Sequence, residues 1–286
     1  MLSQKEIQNL FNIFKTGTLE NIELAIEIAK GSEIDLYLNQ FEDLFLFLID
    51  RKVVPISKYS IAEKVYKILN LETLNIKIEA ESKVVIPANL YFLKNLKSLS
   101  IISEVKLWLP STLSYFENLE KIELQLQHQE NFPEIIFDIS SLKKLDLSCN
   151  LFNELPRNVW KLRQLTELNL CHCIKLNTIP NELFSLPKLE KVYLFQTLIT
   201  EISPLISYSP IKVYSIGFDD HIKKLLANPL IGMKLLKGIK KENNSLFSKT
   251  YTTNLKAGTF KKNNIKNVPN DILDKGLEAI KEYFKL

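Results

Sequence analysis

The chain has 286 residues, of which 46% are hydrophobic, with 37 Lys and Arg against 33 Asp and Glu and only three Cys. That supports a sizeable core but leaves no length for a solenoid joined to a large catalytic domain. Three cysteines are too few for the disulfide caps common in secreted repeat proteins. The most apolar run, Leu44–Ile49, falls far short of the roughly 20 residues that span a bilayer. With no signal-peptide pattern at Met1-Leu2-Ser3-Gln4-Lys5-Glu6, a soluble, cytoplasmic protein is expected.

Residues 1–70 read as helical. Ser3-x-x-Glu6 and Ser60-x-x-Glu63 are capping-box patterns ahead of apolar-periodic stretches. Between them Leu19, Ile22, Leu24, Ala25 and Ile28 recur at helical spacing, with Gly31 placed to end that helix. Phe41, Leu44, Phe45, Leu48 and Ile49 mark another strongly apolar helix within 34–50. A helical cap is the expected role.

From Leu71 the pattern changes to a unit that returns about every 23 residues. Its clearest copy is Leu142-x-x-Leu145-x-Leu147-x-x-Asn150, closing on Leu155-Pro156. Others open at Leu71, Leu96, Leu119, Leu165 and Leu189, closing on Ile86-Pro87, Leu109-Pro110, Phe132-Pro133, Ile179-Pro180 and Ile202-Ser203. Ile211-x-x-Tyr214-x-Ile216 supplies the front half of a seventh unit. An eighth runs from Leu255 through Asn263 and Ile265 to Val268-Pro269. The motif resembles the leucine-rich repeat family, whose signature is Leu-x-x-Leu-x-Leu-x-x-Asn with a following Leu-Pro. The resemblance implies an α/β solenoid: a curved parallel sheet on the concave side, helical caps at both ends, and a surface used for binding.

The residues carry their own physics. Apolar positions two apart, such as Leu145/Leu147, alternate with polar ones and specify short strands with one buried face. The proline holds the residue before it extended and stops strand or helix from running on, so a short helical return follows, as at Val159–Leu162. A unit of this size cannot bury its apolar side alone and must stack. At the ninth position only Asn150 and Asn263 match the family. Glu79, Glu104, Gln127, Cys173, Thr197 and Asp219 stand elsewhere, so the first two units and the seventh are expected to be irregular.

Residues 217–254 read as an inserted helical segment. Asn228-Pro229 can start a helix in which Leu230, Ile231, Leu235, Leu236 and Ile239 share a face beside Lys234, Lys237, Lys240 and Lys241. Residues 222–286 carry 14 Lys and 5 acids, a charge of +9 against −5 for the rest. This offers an alternative function: binding of nucleic acid or acidic lipid by a Lys-rich region. A solubilising coat on a cap is the preferred reading, and nucleic acid or a membrane surface is an unfavoured partner. Residues 255–286 form the last unit and C-terminal cap. From Asn263 to Phe284 the sequence is similar to the closing element of cytoplasmic bacterial leucine-rich repeat proteins and to the segment preceding the GTPase domain of Roco proteins, a domain not expected in this chain.

Chemistry is poorly represented. Cys149, Cys171, His172 and Cys173 invite a zinc site, but the repeat frame points neighbouring sulfurs apart, and no metal or cofactor is expected. His128, His172 and His221 lie in no catalytic motif, and Asp219-Asp220 reads as a turn. No enzyme is expected.

The outward positions of successive strands remain. They give a first column of Lys121, Lys144, Glu167 and Lys191, a second of Glu123, Asp146, Asn169 and Tyr193, and a third of Gln125, Ser148, Cys171 and Phe195. Tyr193 and Phe195 flank the inward Leu194, so alternation predicts both exposed, unless the inserted helix near Phe218 covers them. Exposed aromatics among charges have the composition of protein-binding hot spots. The expected function is recognition of another protein through this face, in the manner of an adaptor or regulator.

Overall fold

The computed structural model describes residues 2–79, 84–126, 129–217 and 265–285. It opens with four helices, α1 Gln4–Lys15, α2 Leu19–Gly31, α3 Leu38–Asp50 and α4 Ile61–Leu69. Both capping boxes form. Ser60 Oγ accepts from the Glu63 amide at 3.2 Å while the Glu63 carboxylate accepts from the Ser60 amide at 2.7 Å, and Ser3 and Glu6 repeat the exchange. Gly31 is the last residue of α2, but the left-handed turn falls on Glu33 (φ 53°). Helix α3 buries Phe41, Leu44, Phe45 and Leu48. The Phe41 ring stacks on Phe92 of the first unit at 4.2 Å and meets Phe14 of α1 edge-on at 5.6 Å. Helices and repeats therefore share one continuous apolar core.

Seven parallel strands follow, each paired with the next in sequence: β1 Thr73–Ile78, β2 Ser98–Ser103, β3 Lys121–Leu126, β4 Lys144–Asp146, β5 Glu167–Asn169, β6 Lys191–Phe195 and β7 Val213–Gly217. A five-residue 3-10 helix follows each of the first six. Proline explains where these begin. Pro87, Pro110, Pro133, Pro156 and Pro180 precede the first helical residue, and each carbonyl accepts the amide three residues on at 3.1–3.3 Å. Ser203 takes the same place before the sixth, which starts at Pro204. Strands pair at about 4.8 Å, whereas the 3-10 layer is wider, so the solenoid curves with its strands on the concave side.

The units are of two kinds. In β1, β2 and β3 alternation continues through six residues, burying Ile78, Ser103 and Leu126 at position eight, counting the opening leucine as one. In the next three units position eight adopts the left-handed region, at Cys149 (φ 63°), His172 (φ 60°) and Gln196 (φ 60°). That reversal swings position nine inward, where Asn150, Cys173 and Thr197 are buried. Asn150 accepts from the Leu126 amide at 2.8 Å and donates to the Leu124 and Leu147 carbonyls, each at 2.7 Å, so one side chain satisfies backbone groups of two units. Cys173 Sγ donates to Leu147 O at 3.2 Å, and Thr197 Oγ1 to Leu194 O at 2.8 Å. The early units thus depart from the motif by strand length, with no shift of register: Thr73, Ser98, Lys121 and Lys144 pair in line. Glu79 has no inward site to fill and stays exposed. Gln127, Asp219 and Asn263 lie outside the described residues.

The last turn of the array is a composite. Strand β7 pairs with β6 as the front of the seventh unit. Its back is supplied by the residues read as the end of an eighth. Lys266 N donates to Thr200 O at 2.8 Å, repeating the bond from Asn177 N to Asn153 O (3.0 Å) between the two preceding units. Asn267 accepts from Ile202 N at 3.1 Å and donates to Ile202 O at 2.8 Å. Val268-Pro269 therefore sits beside Ile202-Ser203 in the seventh turn, which corrects its reading as the close of a separate unit. The front of that copy, Leu255–Asn263, and the apolar helix expected at 228–241 lie outside the described residues. Short helices α5 (Asn270–Leu273) and α6 (Leu277–Tyr283) bury Leu273, Leu277 and Ile280, and Lys281 Nζ donates to Ile211 O at 2.6 Å.

Two outcomes follow for stability. Asn150→Ala leaves buried donors and acceptors of two units unsatisfied and is expected to cost about 2–4 kcal/mol in chemical denaturation. Cys149→Val places a β-branched residue in the left-handed region and should cost ~1–2 kcal/mol, while Cys149→Gly stays within about 1 kcal/mol of the parent.

Candidate binding face of the sheet

The strands bring together the residues that the motif register aligned. Lys121, Lys144, Glu167 and Lys191 are successive partners along one column, with Thr73 and Ser98 before them and Val213 after. Glu123, Asp146, Asn169 and Tyr193 form the second, preceded by Asn75 and Ser100. Strand pairing aligns Lys77, Ile102 and Gln125 as the start of the third.

Accessibility is uneven. Lys121 and Lys144 are exposed, and Glu123, Asp146, Glu167 and Lys191 half-buried. Toward the C-terminal strands the face closes: Ser148, Asn169 and Cys171 are buried. Tyr193 and Phe195, expected to be exposed, are 6% and 9% exposed. They pack with Cys171, and Val213 lies against them, in an apolar cluster separate from the main core. The strand alternates as expected, but an outward side chain reaches water only where its neighbours are polar or short. Phe218, proposed as a cover, lies outside the described residues. The signal for this second cluster was in the sequence, as a run of apolar outward positions (Cys171, Tyr193, Phe195, Val213).

The charged part of the face has a definite internal order. Asp146 Oδ1 accepts from the Ser148 amide and Oδ2 from Asn169 Nδ2, both at 2.9 Å, and Asn169 Oδ1 accepts from the Cys171 amide at 3.0 Å. Glu167 lies between Lys144 Nζ at 3.8 Å and Lys191 Nζ at 3.7 Å. Glu123 receives a long contact from Gln125 Nε2 at 3.5 Å and lies within hydrogen-bonding reach of the Ser100 side chain. Desolvation and then the neighbouring Asp146 charge push its carboxyl above the usual range, against opposing effects of Lys121 and Ser100. Burial, followed by Glu167, pushes the Tyr193 phenol up to about 12.

The sulfur and imidazole groups do not converge. Cys171 is pushed up to about 12 by burial, and burial raises Cys173 well above the usual thiol range, so both hold their protons at neutral pH, the reverse of what a nucleophile or zinc ligand needs. Burial lowers the His172 pKa, and its Nδ1 lies 2.9 Å from Gln196 Oε1. Among the described residues no three His, Cys, Asp or Glu side chains are grouped to hold a metal, and no helix is long and apolar enough to cross a membrane. Of the Lys-rich C-terminal stretch, Lys266, Lys275, Lys281 and Lys285 are described; the side chains of the last three are engaged within the fold, while Lys266 is exposed. His128 and His221 lie outside the described residues.

No family model matches the chain, and no curated protein matches it. Among solved structures it is similar to the leucine-rich repeat ectodomain of a plant membrane receptor kinase from Arabidopsis thaliana, in complex with Casparian strip integrity factor 2, at 24% identity and a TM-score of 0.41 over 52% of this chain and 19% of that one. A leucine-rich repeat protein of Leptospira interrogans aligns at 20% identity and a TM-score of 0.36, over 59% of this chain and 57% of that one. An internalin from Listeria monocytogenes aligns at 17% and 0.35, over 51% and 47%. The chain spans less than two thirds of each.

The raised Glu123 carboxyl has a signed consequence. A carboxyl whose folded pKa exceeds its unfolded value favours the folded state below the unfolded value and loses that contribution as pH rises through the folded one. Glu123→Gln should therefore raise the melting temperature at neutral pH, and the gain should vanish below about pH 4. An equal gain at both would show that charge is not its cause.

Proposed function

We propose that this protein recognises another protein through the strand face of its solenoid, as a non-catalytic adaptor or regulator. The observation that carries the reading is the in-register array of charged side chains over β3 to β6, held on strands whose opposite face is locked in the core. A surface of this kind is preorganised, so little ordering entropy opposes association. The contact residues proposed from the register are Lys121, Glu123, Lys144, Asp146, Glu167, Asn169, Lys191, Tyr193 and Phe195. The accessible charges Lys121, Glu123, Lys144, Asp146, Glu167 and Lys191 make the direct contacts. Asn169, Tyr193 and Phe195 act from beneath: Asn169 by holding Asp146, the two aromatics by stiffening the C-terminal side of the face. No cofactor and no bond-making step enters this reading, and the site of action proposed is the cytoplasm.

The test is photo-crosslinking in native lysate, with a photoreactive residue at position 144 on the strand face or position 157 on the 3-10 layer. A discrete adduct from position 144, absent from position 157 and lost when Lys121→Glu is added, is expected. Adducts from position 157 alone, or equally from both, would overturn the proposal.

A further inference from the structure

The strand face carries two opposed rows of charge, and we infer that it takes an extended partner segment presenting a carboxylate and a cation two residues apart. This rests on the recognition reading above and specifies its partner. Lys121 and Lys144 are direct neighbours on β3 and β4, and two residues further along the same strands Glu123 and Asp146 are direct neighbours. At a rise of about 3.3 Å per residue the rows lie roughly 6.6 Å apart, the spacing of side chains i and i+2 on one side of an extended chain.

Neither row is fully neutralised from within. Lys121 is exposed, and although its charge acts on Glu123 it forms no salt bridge within 4 Å among the described residues. Lys144 reaches Glu167 only at 3.8 Å, a distance that leaves its donors available. The two carboxylates receive neutral donors: Gln125 and Ser100 for Glu123, and Asn169 and the Ser148 amide for Asp146. Like charges side by side on adjacent strands are unfavourable. A partner carboxylate bridging Lys121 and Lys144 and a guanidinium bridging Glu123 and Asp146 would relieve both repulsions and form charge-assisted hydrogen bonds.

The surroundings limit the footprint. The small side chains Ser98 and Ser100 of β2 leave room on one side. On the other, the face is closed by buried Asn169 and Tyr193. A uniform polyanion gains the Lys row but meets the acidic row one step away, and a uniform polycation meets the reverse. Opposed rows thus select a mixed-charge segment and reject nucleic acid or an anionic bilayer at this face.

The experiment uses the full chain, isotope-labelled for amide NMR, titrated with three blocked peptides: acetyl-Asp-Ala-Arg-amide, acetyl-Asp-Arg-Ala-amide and acetyl-Asp-Ala-Asp-amide. The first should move amide signals of β3 and β4 and bind roughly fivefold more tightly than the other two. That preference should disappear in Lys121→Ala, a change at an exposed position that leaves the fold intact. No response, a response confined to other elements, or equal response to all three peptides would overturn the two-row assignment. If the position-144 crosslink still forms in that event, recognition by the face stands and the partner has other chemistry; if it too is absent, the recognition reading fails as well.

Discussion

Each turn of this solenoid can hide its leucines only against the next, and that obligation organises the molecule. Leu145, Leu168 and Val192 are fully buried because strands on either side bring matching side chains to the same level. A single turn has no interior. The ends must consequently be closed by something other than a repeat, which is the work of α1 to α4 at one end and of α5 and α6 at the other. The stacked Phe41 and Phe92 rings make the first of these closures part of the core.

The same stacking fixes the outer face. Because inward leucines set the register, the outward positions have no freedom to slip, and a one-residue shift would turn every leucine to water. Lys121, Glu123, Lys144 and Asp146 are held in rows by residues on the other side of the sheet. Their rigidity is a by-product of core packing, and it makes a charge pattern usable for recognition. Backbone polarity is settled just as strictly. Where position eight turns left-handed, Asn150, Cys173 and Thr197 occupy the inward site and bond to backbone carbonyls. In the first three turns the strand runs on and buries an extra side chain there. One solenoid therefore combines two solutions to the same bend, and among the described residues the acidic ones at position nine, Glu79 and Glu104, stand where the bend is absent.

Much of this was legible from residue order. The capping boxes, the strands, the proline-started 3-10 helices and the composition of the outward columns follow from local rules: two-residue alternation, the stop imposed by proline, and side chains that satisfy a helix's first amides. Two features were not. Alternation predicts Tyr193 and Phe195 exposed, yet both are buried, because alternation gives direction whereas burial depends on neighbours from other strands. The eighth copy was counted as a turn of its own because its motif matched, yet Lys266 and Asn267 bond to Thr200 and Ile202 and complete the seventh.

The sequence by itself determined the repeat, its period, the face on which each side chain lies and the helical cap at the start, since each depends on residues within a few positions of one another. Only the tertiary structure decided which outward residues meet water and which half-motifs join into one turn. Those depend on contacts between residues about 20 or more positions apart, whose distance and shielding are set by packing, and no local rule contains them.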